Sequence, residues 1–183
     1  MKTRIFQIIL LGLITLFTLR CTKEFDEINT DPNRPKKVPT TNLIITAEKT
    51  LMDDIMDEWW SGRQSLLWSQ YWAQRNYTSE DRYAIRQNVN NGYFRLIYTD
   101  IMDLEEIIRL NRNPETKAEM ATYGNNQNQI AAAKILKSWA FQIMTDTYGD
   151  IPYFEAFNAE VNPNPAYTPQ KDIYVDLLKT LKE

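Results

Sequence analysis

The 183-residue chain contains no histidine, and its only cysteine is Cys21. These absences exclude His-based catalytic triads, His/Cys zinc sites, iron–sulfur centres and internal disulfides. Glycine is scarce, with five residues, and no low-complexity tract interrupts the sequence, which argues against collagenous, linker-rich or Gly-turned all-β chains. Neither sign of charge dominates. With 21 basic and 24 acidic residues the net charge is −3, so neither a nucleic-acid-binding surface nor disorder is indicated. What is present, 43% hydrophobic and 12% aromatic residues, suffices to bury one domain core at this length, and two would be cramped. Carboxylates remain plentiful, so composition leaves a hard-metal site or a carboxylate-pair enzyme open.

The N-terminus reads as an address. Met1-Lys2-Thr3-Arg4 is positive, and the 15 residues from Ile5 to Leu19 carry 11 large apolar side chains and no charge. A membrane-spanning helix needs about 20 apolar residues, so this shorter run has the layout of a secretory signal peptide over residues 1–20. Cys21 follows directly and looks like a bacterial lipoprotein acylation site. Arg20, Leu19 and Thr18 depart from the small residues usual before such a cysteine; the other readings are a chance cysteine, an uncleaved anchor or cleavage elsewhere. Without residues 1–20 the chain has 18 basic and 24 acidic residues, a net charge of −6. It offers no polybasic patch for an anionic membrane, so any membrane attachment rests on the lipid at Cys21.

Residues 21–39 read as a lipidated tether and loop, polar and interrupted by Pro32, Pro35 and Pro39. Residues 40–183 read as one α-helical domain. Thr40 or Thr41 caps a helix in which Leu43, Ala47, Leu51 and Ile55 recur, reaching about Trp60 and interrupted near Ser61-Gly62. Leu67, Trp68, Tyr71 and Trp72 form a stripe on a second helix. Thr78-Ser79-Glu80-Asp81 has the form of a capping box for a short third one. From Tyr93 the period is clear, with Phe94, Ile97, Ile101, Leu104 and Ile108, and the helix ends at Asn113-Pro114. A helix over 127–148 follows, ended by Gly149 and Pro152. A proline-rich connector leads to a last helix capped by Thr168 with Pro169 at its first position. Its stripe of Ile173, Leu177, Leu178 and Leu181 has no following partner, so the chain reads as truncated there.

The helices at 93–112 and 127–148 form an antiparallel pair in which Ala131, Ala132, Ala133 and Ala140 permit close approach. The fold class is therefore all-α, built of tetratricopeptide-like helical pairs with long irregular loops, although no clean 34-residue repeat is found.

Several segments then carry a resemblance. They are Asn29-Thr30-Asp31-Pro32-Asn33-Arg34-Pro35, Trp72-Ala73-Gln74-Arg75-Asn76-Tyr77-Thr78 with Asp81-Arg82-Tyr83, and Ala131-Ala132-Ala133-Lys134-Ile135-Leu136-Lys137 leading to Thr145-Asp146-Thr147-Tyr148-Gly149-Asp150-Ile151-Pro152-Tyr153. The run from Ala166 to Tyr174 completes the series. Together they resemble the N-terminal part of the SusD/RagB-like outer-membrane lipoproteins of Bacteroidota, in the SusD-like branch. The resemblance implies a cell-surface, lipid-anchored protein that lids a SusC-type TonB-dependent transporter and captures oligosaccharides or, in some members, peptides. It implies no catalysis and no cofactor. Glu24, Asp26 and Glu27 after Cys21 resemble the surface-export signal of this group.

Sugars offer apolar C–H faces to aromatic rings and hydroxyls to planar polar groups. Trp72, Arg75, Asn76 and Tyr77, where a helix enters a loop, provide that combination and are the candidate ligand residues. Trp68, and Trp72 one turn on, also fit a buried stripe. Trp139 fits helix packing. Asp146 and Asp150 read as structural caps rather than a metal or acid/base pair, and Asp53-Asp54 and Glu105-Glu106 as solvated helix faces. No metal site and no catalytic residue is singled out. Two other classes stay open: a surface-tethered glycan-cleaving enzyme, whose two carboxyls would stand about 5 Å or about 6.5–9.5 Å apart, and a helical adaptor that binds only protein.

Overall fold

The computed structural model describes residues 38–183. In chain order the helices are α1 (Thr40–Ile55), the single turn α2 (Ser65–Trp68), α3 (Gln87–Arg112), the single turn α4 (Lys117–Met120), α5 (Asn126–Tyr148) and α6 (Gln170–Lys182). Two short strands, β1 (Ile151–Pro152) and β2 (Tyr167–Thr168), pair antiparallel between α5 and α6. The fold is all-α, as the apolar periodicities require. No helix among the described residues is long and apolar enough to cross a membrane.

Side-chain contacts fix the helix directions. Near the start of α3, Phe94 meets Tyr148 at the end of α5 edge-on, with ring centroids 5.2 Å apart, and Tyr98 meets Phe141 at 6.0 Å. At the other end, Asn111 donates to the Gln129 amide oxygen over 3.3 Å. The α3–α5 pair is thus antiparallel. Ile55 clusters with Tyr93 and Ile97, whereas Ala47 clusters with Leu104 and Ile107, so α1 runs antiparallel to α3. Gln170 donates to the Thr145 carbonyl (2.8 Å) and Lys134 pairs with Glu183 (3.1 Å), which sets α6 antiparallel to α5. The helical-pair architecture follows from these three interfaces. Phe141, Ile97, Ile101, Met144 and Ile151 are fully buried at their centre.

Several local expectations are corrected. Of the four alanines, Ala133 and Ala140 lie buried in the interface while Ala131 and Ala132 face solvent. Thr40 does not cap α1: it is the first helical residue, and its hydroxyl is spent on Gln129 across to α5. The helix ends at Ile55 rather than near Trp60. Asp57 then caps a π-helical segment, Glu58–Gln64, by accepting from the Trp60 and Ser61 amides through Oδ1. α3 begins at Gln87, six positions earlier than the apolar period reveals, because Gln87, Asn88, Asn90 and Asn91 carry no apolar signal. The last helix is not capped by Thr168, which belongs to β2. Its first amide, Gln170 N–H, donates to Asp150 Oδ1 over 2.9 Å. Nor is its stripe wholly without a partner, since Ile173 and Leu177 are buried with Ala140, Phe141 and Met144 of α5, while Leu178 and Leu181 face solvent.

The run Tyr148-Gly149-Asp150-Ile151-Pro152-Tyr153 is scaffold throughout. The Tyr148 hydroxyl donates to Asn90 O (2.8 Å), Asp150 caps α6, Ile151 is fully buried, Pro152 O accepts from the Tyr98 hydroxyl, and the Tyr153 hydroxyl donates to Asp176 (2.8 Å). Asp146 likewise accepts from the Tyr174 hydroxyl over 2.6 Å. Gly149 has φ +77° and ψ −122°, a conformation poor for any L side chain, though an added Cβ would meet no atom within 4 Å. Gly149→Ala is therefore expected to cost about 1–3 kcal/mol from backbone strain alone. A thermal melt checks this, and an unchanged midpoint would refute it.

Candidate functional site

The loop over residues 69–79 leaves α2 through a left-handed residue, Gln70 (φ 62°). The amides of Tyr71 and Trp72 both turn back to the Leu66 carbonyl, at 3.0 and 3.2 Å. This reversal takes the two rings off the helical stripe. Trp68 stays half-buried, but Tyr71 is 80% and Trp72 61% exposed. The buried-stripe reading thus holds for Trp68 and fails for Trp72. Arg75 and Asn76 are exposed as well, and Tyr77, another left-handed residue, is 87% exposed. All four predicted ligand residues share one solvent-facing loop, and no hydrogen bond to another described residue occupies their side chains. Cys21 lies outside the described residues.

A buried carboxylate holds this loop from beneath. Glu80, only 2% exposed, accepts from the Arg86 guanidinium (2.7 Å) through Oε1 and from the Gln74 side-chain amide (2.8 Å) through Oε2. Arg63 lies 3.7 Å from Oε2. Gln74 is gripped a second time, its N–H donating to Asp81 Oδ2 (2.6 Å) while its own Oε1 accepts from the Asp81 amide (3.3 Å). The predicted capping box is replaced by this clasp. Ser79 makes no side-chain cap, and one 3₁₀ turn, Glu80–Arg82, stands where a short helix was expected. Tyr83, also left-handed, closes the turn; its hydroxyl accepts from Gln70 Nε2 (2.9 Å) and donates to Trp68 O (3.3 Å).

Burial alone would raise the Glu80 pKa. The hydrogen bonds from Arg86, Gln74 and its own backbone amide, with the Arg63 charge, outweigh burial and hold it at about 2. The clasp is therefore ionised throughout the physiological range. Non-glycine residues at positive φ cost about 1–3 kcal/mol each, and Gln70, Tyr77 and Tyr83 all belong to this region. What the arrangement presents is a set of exposed ring faces next to unpaired planar donors and acceptors, on a base built around the ionised Glu80. Sequence reasoning missed Glu80, Gln74 and Asp81 as its support. The clue was the surplus of arginine around one short acidic pair.

A second carboxyl group behaves differently. Asp100 of α3 is 5% exposed, its Oδ2 has no hydrogen-bond partner, and Asp54 of α1 faces it. Burial raises its pKa; Thr50 lowers it by hydrogen bonding, and repulsion from Asp54 and Asp103 adds to the rise, to about 6. Asp54 is pushed upward too, chiefly by burial. Asp54 is therefore not a solvated face residue, although Asp53 is, paired with Lys49 on the surface. Glu105 bridges to Lys137 across the α3–α5 interface, and Glu106 pairs with Arg109 on its own helix. Asp54 and Asp100 interact at the α1–α3 interface. Among the described residues no group of three His, Cys, Asp or Glu is placed to hold a metal ion.

An all-α scaffold locked by buried contacts, with exposed aromatic residues gathered on one clasped loop, is the form of a binding platform. The chain belongs to the SusD-like_2 family, described as starch-binding and associating with the outer membrane, whose model matches residues 32–183. That description is of binding rather than catalysis, and it agrees with the resemblance carried by the motifs. Comparisons with curated proteins and with solved structures give no match.

Proposed function

We propose that the protein is a cell-surface lipoprotein that captures an oligosaccharide and passes it to a partner TonB-dependent transporter of the SusC type. The observation that carries the reading is the exposed loop of Trp72, Arg75, Asn76 and Tyr77, clasped on buried Glu80. Its rings stack on the C–H faces of a sugar, and Arg75 and Asn76 hydrogen-bond the hydroxyls. The starch-binding description of the family favours an α-glucan over a peptide. Lipid on Cys21 supplies the anchor.

Calorimetric titration of the full chain with maltoheptaose tests the glycan. Trp72→Ala and Tyr77→Ala are each expected to weaken binding about 5–10-fold, the loss of one stacked ring. Thermal melting should hardly change, because both side chains are solvent-facing. Absence of binding to maltoheptaose and to soluble starch by the wild type overturns the reading. For the anchor, Cys21→Ser is expected to move the protein from the membrane fraction to the soluble one; unchanged fractionation refutes lipidation.

A further inference from the structure

We infer that a second sugar subsite lies in the cleft at Trp59, between the π-helical segment and the first turns of α3. It rests on the glycan-binding reading above and adds a place where one sugar ring is held. The cleft is about 230 Å³; Asp57, Trp59, Arg86 and Asn88 line it beside Gly92 and Tyr93, with aliphatic wall from Val89 and Leu96. That is smaller than the ~300–1,000 Å³ of sites for drug-sized ligands, which matches one ring rather than a chain.

Three observations give the cleft its chemistry. Trp59 is 40% exposed, although Trp60 beside it is stacked on Tyr93 at 5.0 Å. The adjacent tryptophans are thus divided between a structural ring and a partly exposed ring at a cleft wall, which also carries two guanidiniums. Second, the Arg63 and Arg86 guanidiniums lie 4.6 and 5.3 Å from the centre of the Trp59 ring, and Glu80 holds both. Their donors are fixed in position before any ligand arrives, which lowers the ordering cost of binding. Third, Gly92 faces the cleft from inside α3, and a Cβ added there would meet nothing within 4 Å. Glycine is disfavoured inside a helix, and here it leaves floor space.

Charge decides the ligand class. Two guanidiniums are matched by the carboxylates of Glu80 and Asp57, so the cleft has no surplus to draw an anion. Asp57 uses Oδ1 for both capping amides, and among the described residues its Oδ2 accepts no hydrogen bond. Asn88 is exposed at the rim. A partly exposed aromatic ring, a fixed guanidinium, a carboxylate oxygen and a primary amide suit a neutral polyhydroxylated ring. Because Glu80 binds Arg86 with one oxygen and Gln74 with the other, the subsite and the exposed loop share one anchor.

The test is calorimetric titration of the full chain with maltoheptaose, comparing wild type, Trp59→Ala and Gly92→Leu. Gly92→Leu fills the floor while improving helix propensity, so it keeps the test valid if Trp59→Ala disturbs the fold. Each variant is expected to weaken binding about fivefold. Unchanged affinity in Gly92→Leu, with binding still lost on replacing Trp72 or Tyr77, overturns the subsite and leaves the glycan-binding reading intact. A wild type that binds neither maltoheptaose nor starch overturns that reading, and the subsite with it.

Discussion

Glu80→Gln is expected to destabilise the protein by about 3 kcal/mol and to release the loop that carries Trp72 and Tyr77. Removing one member of a buried ion pair costs ~3–5 kcal/mol, because the remaining charge loses its partner inside the protein. The lower end applies here, since the Arg63 and Arg86 side chains keep 29% and 31% of their exposure and regain some hydration. Gln74 loses its ionic acceptor at the same time. Limited trypsin digestion reads the loop directly, because Arg75 is exposed within it. Cleavage after Arg75 should accelerate in the variant, and equal rates in variant and wild type would refute the clasp. The pH dependence has a definite direction. Because the folded pKa is held at about 2, below its unfolded value, the stabilisation is present above the unfolded value near 4.3 and is lost as pH falls toward 2. Glu80→Gln should remove that acid limb.

Asp100→Asn should act in the opposite sense. The folded protein holds a proton on Asp100 up to a pH of about 6, whereas the unfolded chain releases it near 3.9. The resulting stabilisation is complete below the unfolded value and disappears as pH rises through 6. Over that window the linkage amounts to about 3 kcal/mol. At pH 8 the wild type carries a buried charge on α3 facing Asp54, and the asparagine variant does not. We expect urea midpoints to show the variant more stable at pH 8, by up to about 3 kcal/mol, and nearly equal at about pH 3. Parallel pH profiles for the two proteins would sink the assignment. Asp54, Asp57 and Asp103 place further negative charge around this interface, opposed by Arg95, so an increase in salt should narrow the difference.

The long helices were legible in the sequence because their apolar residues recur with one period over several turns. The α3 and α5 pairing follows directly from that stripe. The start of α3 was not legible, since its first turn is polar and is fixed by Tyr148 reaching back to Asn90. The same kind of remote partner explains the caps. Thr168 has the right chemistry to start α6, yet Asp150, eighteen residues earlier, does so, because β1 and β2 bring it alongside. At the site, aromatic richness and the Arg-Asn-Tyr run marked the loop. Its exposure was hidden because a left-handed Gln70 leaves no trace in an apolar period. Glu80 was hidden for a different reason. Arg63 and Arg86 converge on it from opposite sides in sequence, and spacing alone does not reveal a burial that depends on both.

The two-residue β pairing has a consequence for how this chain tolerates change. Ile151 and Pro152 face Thr168 and Tyr167, so the connector between them leaves the scaffold and returns to it at one point. Phe157 packs against Phe141 and Tyr98, and Glu155 accepts from both Asn162 and the Ala166 amide, which closes the base of the excursion. Beyond that base, Val161 is 79% exposed. Closing a longer loop at a junction already fixed costs only about 0.6 kcal/mol per doubling of its length. The tip around residues 159–161 is thus a graft point, where a tag, an epitope or a longer recognition loop can be spliced in without disturbing the helices.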